Sequence, residues 1–250
     1  MKVLGNLKIA QINTNSLNCT DIQKMKEKLI SILNINADIT VLNDIRLSDK
    51  KQLVVDFVRN TQLGNFDFYA NSSKNARGVG LIINKKSNLE VSVLIEDSDE
   101  NVLITSVKKG ESKFILGAIY GPRQNDDALF VENIMNMINP YKQYPFLLIG
   151  DFNLITSTVK PLIDVTGSDS IPNPRNSRKI ETLIKGGELI DIFRNKNGNA
   201  IQFSYMGFNK ASSQRSRIDL ALCNPIFIKN VKNIKHIILN KRILIIKRQF

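Results

Sequence analysis

The sequence has little of three chemically versatile side chains: it contains two cysteines, one histidine and no tryptophan. Cys19 and Cys223 lie far apart and fit no metal-ligand spacing, which predicts two free thiols in a reducing compartment. The single histidine, His236, stands in an apolar and basic stretch and is interpreted as a strand residue rather than a catalytic one. Disulfide scaffolds and cysteine- or histidine-rich metal sites are therefore excluded as function classes.

Long hydrophobic runs are missing as well. No apolar segment approaches the roughly 20 residues that a membrane span needs, and the N-terminus lacks the apolar stretch of a secretion signal. We expect an intracellular protein, in the cytoplasm and nucleus, without a membrane partner. Because no linker rich in Pro, Gly or Ser and no internal repeat divides residues 1–250, the sequence also predicts a single domain and a monomer.

Acidic residues are scarce in the second half of the chain. Of the 35 basic and 23 acidic residues, 17 basic but only 7 acidic ones lie in residues 151–250. No acid follows Asp219, whereas seven basic residues do. A one-sided basic surface of this kind suits a polyanion such as nucleic acid, or an acidic membrane face. The alternative is an A- and T-rich genome, which raises the content of Lys, Asn and Ile without any function.

The hydrophobic pattern predicts a mixed α/β fold. Strands are expected near both ends and throughout the middle of the chain, where short hairpins follow one another; helices are expected over 21–33 and 126–138, and a long polar loop over 156–176. A doubly wound parallel sheet would not contain that run of hairpins, so two packed sheets with helices outside fit better. The expected strands are 8–12, 39–42, 66–70, 79–84, 89–96, 101–108, 113–120, a strand ending at Asp151, 201–205, 217–222 and 231–239.

The most informative motif is Phe-Leu-Leu-Ile-Gly-Asp-Phe-Asn at residues 146–153. Its apolar run predicts a strand buried on both faces. Asp151 and Asn153 follow at the strand exit, two residues apart, a spacing that points both side chains the same way in extended backbone. A carboxylate beside a carboxamide can position a water or a metal ion and hold a phosphate oxygen.

Further short segments occur in an order that resembles the endonuclease/exonuclease/phosphatase superfamily, and in particular the apurinic-type endonuclease domain of non-LTR (LINE-like) retrotransposons. The resemblance spans nearly the whole chain. Its segments are Gln11–Asn15, Asp38–Asp44, Gly78–Ile83, Gly117–Pro122, Gly150–Asn153, Phe203–Tyr205 and Ser216–Asp219.

The resemblance implies a four-layer α/β (α+β) sandwich, with two packed mixed β-sheets flanked by helices and the site at one end. It also implies hydrolysis of a phosphodiester bond with Mg²⁺ or Mn²⁺ as cofactor, so that DNA is nicked. In such a retrotransposon the nick primes reverse transcription, and a reverse transcriptase domain is a covalently linked partner.

The same resemblance implies roles for five catalytic residues and one metal ligand. Asp151 activates the attacking water, Asn153 orients the scissile phosphate, and the hydroxyl of Tyr120 lies near that phosphate. Asn13 matches an asparagine between metal and phosphate. Asp44 stands where the family has a metal-binding Glu, so its carboxylate is one methylene shorter. Taken alone, Asp44 and Asn13 would be interpreted as cap or turn residues, and Tyr120 as a packing residue.

Two further residues are candidates for contact with DNA phosphates. Ser204 occupies the place of a family threonine and keeps its hydroxyl, while Tyr205 replaces a tryptophan. Arg217 precedes Asp219 in Ser-Arg-Ile-Asp, and either a structural ion pair or a phosphate contact is expected for it.

The closing Ser-Asp-His motif of the family is missing. In the family, Asp219 would orient that histidine, which stabilises the transition state. In its place the chain reads Arg242-Ile-Leu-Ile-Ile-Lys247. Codons ATT CTG ATC ATA AAA for its last five residues, read one base back, contain TCT GAT CAT AAA, which encodes Ser-Asp-His-Lys. We therefore expect a truncated or frameshifted end near 240–250; other codons in the gene would refute a frameshift.

Three functions remain open at this point. The leading one is a DNA-nicking endonuclease. The second is a decayed copy that binds DNA and cuts it poorly, which the missing histidine favours. The third is a superfamily phosphatase that acts on phospholipids or inositol phosphates, against which the basic second half argues.

Overall fold

The computed structural model describes residues 6–123, 127, 129–157, 164–166, 171–206, 215–239 and 241–249. Two six-stranded sheets, each with parallel and antiparallel pairs, pack face to face, and helices cover their outer faces. The predicted α/β fold with two mixed sheets between helices is confirmed. The strands are β1 (Asn6–Asn13), β2 (Ile39–Asn43), β3 (Phe66–Asn71), β4 (Val79–Asn84), β5 (Glu90–Glu96), β6 (Val102–Lys109), β7 (Ser112–Tyr120), β8 (Phe146–Asp151), β9 (Val165–Thr166), β10 (Ile190–Asp191), β11 (Tyr205–Met206), β12 (Arg215–Ser216), β13 (Asp219–Cys223), β14 (Val231–Leu239) and β15 (Lys241–Gln249). The helices are α1 (Ile22–Leu33), α2 (Lys51–Asn60), α3 (Phe130–Ile138), α4 (Pro174–Lys185), α5 (Ile192–Asn197) and α6 (Pro225–Ile228).

The central strands of the two sheets face each other. The first sheet runs β14-β15-β1-β2-β4-β3, and the second runs β10-β13-β8-β7-β6-β5; β11, β12 and β9 form a small third sheet. In the first sheet β1 and β2 are parallel, and in the second β7 and β8 are parallel. The carboxyl ends of each parallel pair therefore share one edge of their sheet.

Three layers of apolar contact hold the sandwich together. The inner faces of both sheets meet in one core, which includes Ile9 and Val41 from the first sheet and Leu116 and Leu147 from the second. A second cluster joins the first sheet to α1 and α2, and a third joins the second sheet to α3 and α4. Fully burying each such aliphatic side chain contributes roughly 1.5–3 kcal/mol, so the layers are the main source of stability.

Local sequence explains the first helix and the central strand. Asp21 caps α1 by accepting hydrogen bonds from the backbone N–H groups of Gln23 and Lys24, at 2.8 and 3.4 Å. Met25 and Leu29 of this helix, one turn apart, are buried against the first sheet. Every residue of β8 is buried, as expected for a strand paired on both sides and covered on both faces.

Several elements differ from the sequence prediction. Residues 201–203 are not a strand; only the two-residue β11 follows them, so the predicted strand 201–205 was wrong. α2 was not predicted, nor was α4, which begins with a proline in its first turn and replaces the end of the loop predicted over 156–176. β15 was also missed, although it pairs with β1 over seven consecutive residues.

The described residues contain no helix of the length and apolar character that crossing a bilayer requires.

Candidate active site

The predicted site residues converge at one edge of the sandwich because of the strand directions. Asn13 ends β1 in the first sheet, while Tyr120 and Asp151 end the parallel strands β7 and β8 in the second sheet and are partners in register. Asp219 begins β13, which runs antiparallel to β8, and pairs directly with Asp151. Residues that are distant in sequence therefore meet where the two sheets face each other.

A hydrogen-bonded group of three side chains occupies the centre of this edge. Asn13 Nδ2 donates to Asp151 Oδ2 at 2.8 Å, across the gap between the sheets. Asp151 Oδ1 accepts from the backbone N–H of Asn153 at 3.1 Å, and Asn153 Nδ2 donates to the carbonyl of Gly121 at 2.8 Å. Both carboxylate oxygens of Asp151 are thus oriented by donors. Asn153 lies beyond β8 with a φ of 51°, so the extended backbone expected at this position is not present.

A second, fully buried group lies directly behind the first. Gln11 Nε2 donates to Asn43 Oδ1 at 2.8 Å and to Asp219 Oδ1 at 2.9 Å, and Asn43 Nδ2 donates to the carbonyl of Ile119 at 2.6 Å. Each of these side chains is less than 3% exposed. Buried amides that are paired in this way fix the spacing of the two sheets, since breaking one bond leaves an unsatisfied group out of water.

Asp44 lies just beyond β2 and forms an ion pair with Arg46. Arg46 Nε donates to Asp44 Oδ1 at 2.7 Å, and Arg46 Nη2 donates to Oδ2 at 2.8 Å. Asp44 is 1% exposed and Arg46 is 31% exposed, so the pair opens to solvent on one side. Both residues have positive φ, at 54° and 49°, a backbone region that costs non-glycine residues of order 1–3 kcal/mol and is common at functional sites.

Tyr120 lies near both carboxylates of the site edge, those of Asp44 and Asp151. Burial and the negative charge of Asp44 raise the pKa of Tyr120 to about 12, and Asp151 adds to the rise while Arg123 opposes it. Arg46 and Arg123 both lie close enough to Tyr120 to interact with it electrostatically. At neutral pH the phenol is therefore protonated and can donate to an anionic oxygen, beside two guanidinium groups that also favour an anion.

Two glycines allow the site strands to approach closely. A Cβ at Gly150 would lie 1.8 Å from the carbonyl oxygen of Ile119, and one at Gly121 would lie 1.9 Å from that of Phe152. Both distances are far below van der Waals contact, so only glycine fits at either position. These positions flank Asp151 and Tyr120, and any side chain there would displace both.

Ser204 lies behind the edge. Its Oγ accepts hydrogen bonds from the backbone N–H groups of Ile218 and Asp219, at 3.0 and 2.9 Å, and it is 4% exposed. It therefore supports the start of β13 and the position of Asp219.

Two alternatives were left open for Arg217, and the structure shows the ion pair. It is fully buried, and its guanidinium contacts Asp164 at 2.8 Å and Asp191 at 2.5 Å. Burial lowers the pKa of Arg217, but these two carboxylates outweigh the effect and raise it. A phosphate contact by Arg217 is contradicted, because a guanidinium with no exposed surface cannot reach DNA.

The oxygen donors at the edge of the sandwich suit Mg²⁺. Among the residues that the structure describes, no cluster of three or more His, Cys, Asp or Glu side chains could hold a metal ion. Mg²⁺ often needs only one or two carboxylates, because it keeps several waters. The Asp44 carboxylate and the Asn13 amide oxygen supply that chemistry, provided that Arg46 releases the carboxylate.

The C-terminal segment, where the family's histidine is expected, contributes the described strands β14 and β15 to the first sheet. Ile12 pairs with Ile243 of β15, so the beginning of β15 lies beside the end of β1. The segment 242–247, on which the frameshift hypothesis depends, lies within β15 and continues the first sheet. His236 belongs to β14, and its partner Leu244 pairs in turn with Gln11.

Comparison with solved structures identifies the architecture. The AP endonuclease LMAP from Leishmania major superimposes with a TM-score of 0.76 at 12% identity, over 98% of this chain and 88% of that one. The endonuclease domain of TRAS1, a telomere-specific non-LTR retrotransposon, does so with a TM-score of 0.68 at 10% identity, over 98% and 99%. The chain has the fold of the endonuclease/exonuclease/phosphatase superfamily. The 3′ phosphatase NExo from Neisseria, bound to a product DNA hairpin, shares this fold at a TM-score of 0.67 and 15% identity, over 98% and 100%. No protein-family model and no curated protein matches the chain in sequence.

Sequence reasoning missed four residues of the site. Gln11 and Asn43 stand inside recognised motifs, next to predicted residues, but nothing local shows that their amides bridge the sheets. Arg46 follows Asp44 by two positions and Arg123 follows Tyr120 by three, and this proximity to predicted site residues was the available signal.

Proposed function

We propose that this protein is a Mg²⁺-dependent phosphodiester hydrolase that nicks DNA, as the endonuclease domain of a LINE-like retrotransposon. The observation that carries the proposal is the group of Asn13, Asp151 and Asn153 at the edge of the sandwich. The fold likeness to AP endonucleases and to the TRAS1 endonuclease domain, and the basic second half of the chain, also support it.

The residues of the edge suggest a division of labour. Asp151, held by two donors, would accept the proton of the attacking water while the water oxygen forms a bond to phosphorus. The bond between phosphorus and O3′ would break, and the departing O3′ oxygen would take a proton from solvent water, which leaves the 3′-hydroxyl end that priming requires. The phenol of Tyr120 and the side chains of Asn153 and Arg123 would donate hydrogen bonds to the phosphate oxygens and hold them in place. Asp44 and Asn13 would hold Mg²⁺, which when bound neutralises charge on the phosphate.

A specific observation favours a second candidate, a copy that binds DNA but cuts it poorly. Asp219, which would orient a histidine in the family, accepts a hydrogen bond from Gln11 at 2.9 Å. No histidine follows His236 in the sequence. Without that group, departure of the O3′ oxygen would lack assistance, and a rate lower by roughly 10³-fold or more is expected.

Nicking of supercoiled plasmid with Mg²⁺ tests the proposal. Wild-type protein should convert plasmid to open circles, EDTA should abolish the activity, and Asp151→Ala should lower it by about 10²–10⁴-fold. Asp56→Ala, which removes an exposed carboxylate from α2, is the matched control and should cut like wild type.

Each other outcome points to one alternative. Salt-dependent DNA binding without nicking would support the impaired copy. Phosphate release from a phosphoinositide, without plasmid nicking, would support a phosphatase. Nicking that survives in Asp151→Ala would refute the assigned role of this carboxylate.

A further inference from the structure

One face of α4 is strongly basic at the end nearest the active-site edge. Arg175 and Arg178 lie in the first two turns and are exposed, whereas Ile180 and Leu183 of the same helix pack against the second sheet. The first turn contains no acidic residue. Because the N-terminal end of a helix carries a partial positive charge, the helix itself adds to the attraction for an anion.

The exposed arginines border a cavity of about 250 Å³, which Glu132, Arg175, Asn176, Arg178, Lys179 and Thr182 line. Its single acidic residue, Glu132, contacts Lys179 Nζ at 3.1 Å, so these two charges offset each other. Among residues with described positions, no carboxylate lies within ion-pair distance of Arg175 or Arg178. Two guanidinium groups therefore remain as net positive charge beside a concave surface.

Buried hydrogen bonds attach this surface to the active-site segment. Ser177 Oγ accepts from the backbone N–H of Ile155 at 3.2 Å, and Ile155 follows Asn153 by two residues. Asn176 Oδ1 accepts from the backbone N–H of Val131 at 3.1 Å, which ties the same turn to α3. Both side chains are at most 1% exposed. The first turns of α4, which carry the arginines, are consequently attached to the segment that follows Asn153.

We propose that Arg175 and Arg178 bind the phosphate backbone of duplex DNA beside the scissile phosphate. The inference deepens the proposed function and rests on it. A guanidinium can hold two phosphate oxygens at once, and such contacts position DNA without reading its sequence.

The test measures binding of a 20-base-pair duplex in EDTA, so that no cutting occurs, over a range of salt concentrations. The slope of log K against log salt is negative, and each lost phosphate contact makes it less steep by about 0.9. Arg175→Ala/Arg178→Ala should therefore make the slope less steep by about 2. The same variant should weaken binding by about 10–100-fold at low salt. Because both side chains are exposed, the variant should fold normally, which a thermal melt checks.

Lys108→Ala/Lys109→Ala is the matched control. It removes the same charge from the β6–β7 hairpin, at the opposite end of β7 from Tyr120, and should keep the wild-type slope. In a second arm, neutral methylphosphonates replace single phosphates, one position at a time, along the strands beside the cut. At the contacted positions they should weaken binding by wild type and have no effect on the arginine variant.

Equal slopes for the arginine variant and the lysine control would overturn the inference. So would loss of binding to phosphatidylserine vesicles with unchanged DNA binding, because the surface would then serve a membrane. If wild type fails to nick plasmid but the slopes differ as expected, the proposed function fails and the arginine site stands. If wild type nicks and the slopes are equal, only the arginine site fails.

Discussion

Replacing Arg217 by methionine removes a fully buried cation from two buried carboxylates, of which Asp164 keeps a second ion pair with Arg194. Arg217 Nε and Nη2 contact Asp164 at 2.8 and 3.1 Å, and Nη2 also contacts Asp191 at 2.5 Å and Thr156 Oγ1 at 2.9 Å. Asp164 and Asp191 are at most 3% exposed, so water does not replace the lost donors. Removing one partner of a buried pair costs about 3–5 kcal/mol.

For a chain of this size, that loss corresponds to a Tm lower by about 6–20 °C. Arg217→Met should therefore unfold at much lower urea than wild type, with an unchanged slope of free energy against urea. Arg217→Lys keeps the charge but loses the planar guanidinium group, so its urea midpoint should lie between those of wild type and Arg217→Met. The same variants are then assayed for DNA binding.

An Arg217→Met variant that is as stable as wild type and has a smaller salt dependence of DNA binding would refute the buried ion pair. That result would mean that the guanidinium contacts phosphate, which is the alternative that the sequence left open. A variant that is less stable but binds DNA with the wild-type salt slope at low temperature agrees with the buried ion pair.

Three further outcomes follow from the same structure. Arg46→Ala should tighten Mn²⁺ binding by about tenfold in a paramagnetic-resonance titration, because its guanidinium occupies both oxygens of Asp44; unchanged affinity would contradict this competition. Gly150→Ala should lower Tm and nicking together, since its Cβ would meet the Ile119 carbonyl at 1.8 Å, and wild-type Tm would contradict the close approach. Burial raises the pKa of Asp164, but neighbouring guanidinium groups outweigh it and hold the pKa below 3.8. Its stabilisation is therefore present above about pH 4 and lost as pH falls below that value, so Asp164→Asn should flatten urea-derived stability in acid, and an equally steep curve would argue against it.

Local sequence was sufficient for much of the fold. The unbroken apolar runs of β7 and β8 follow from burial on both faces of the strand, and the spacing in α1 follows from burial that repeats every 3.6 residues. β15 was missed because an apolar segment that ends in basic residues does not show by itself which strand it pairs with. α4 was missed because its polar first turn resembles a loop until Asn176 and Ser177 are seen buried.

The candidate site divides in the same way. The motif placed Asp151 at the end of β8, but the shared direction expected for Asn153 assumed extended backbone, whereas Asn153 lies beyond β8 with a φ of 51°. The role of Arg217 could not be predicted, because an ion pair and a phosphate contact use the same side chain, and burial alone distinguishes them. Gln11 and Asp219 are 208 residues apart and become neighbours only when the sheets pack. The sequence by itself determined which groups stand at the strand ends, and tertiary packing decided which of them face one another, because contacts between sheets depend on register and layer order rather than on local pattern.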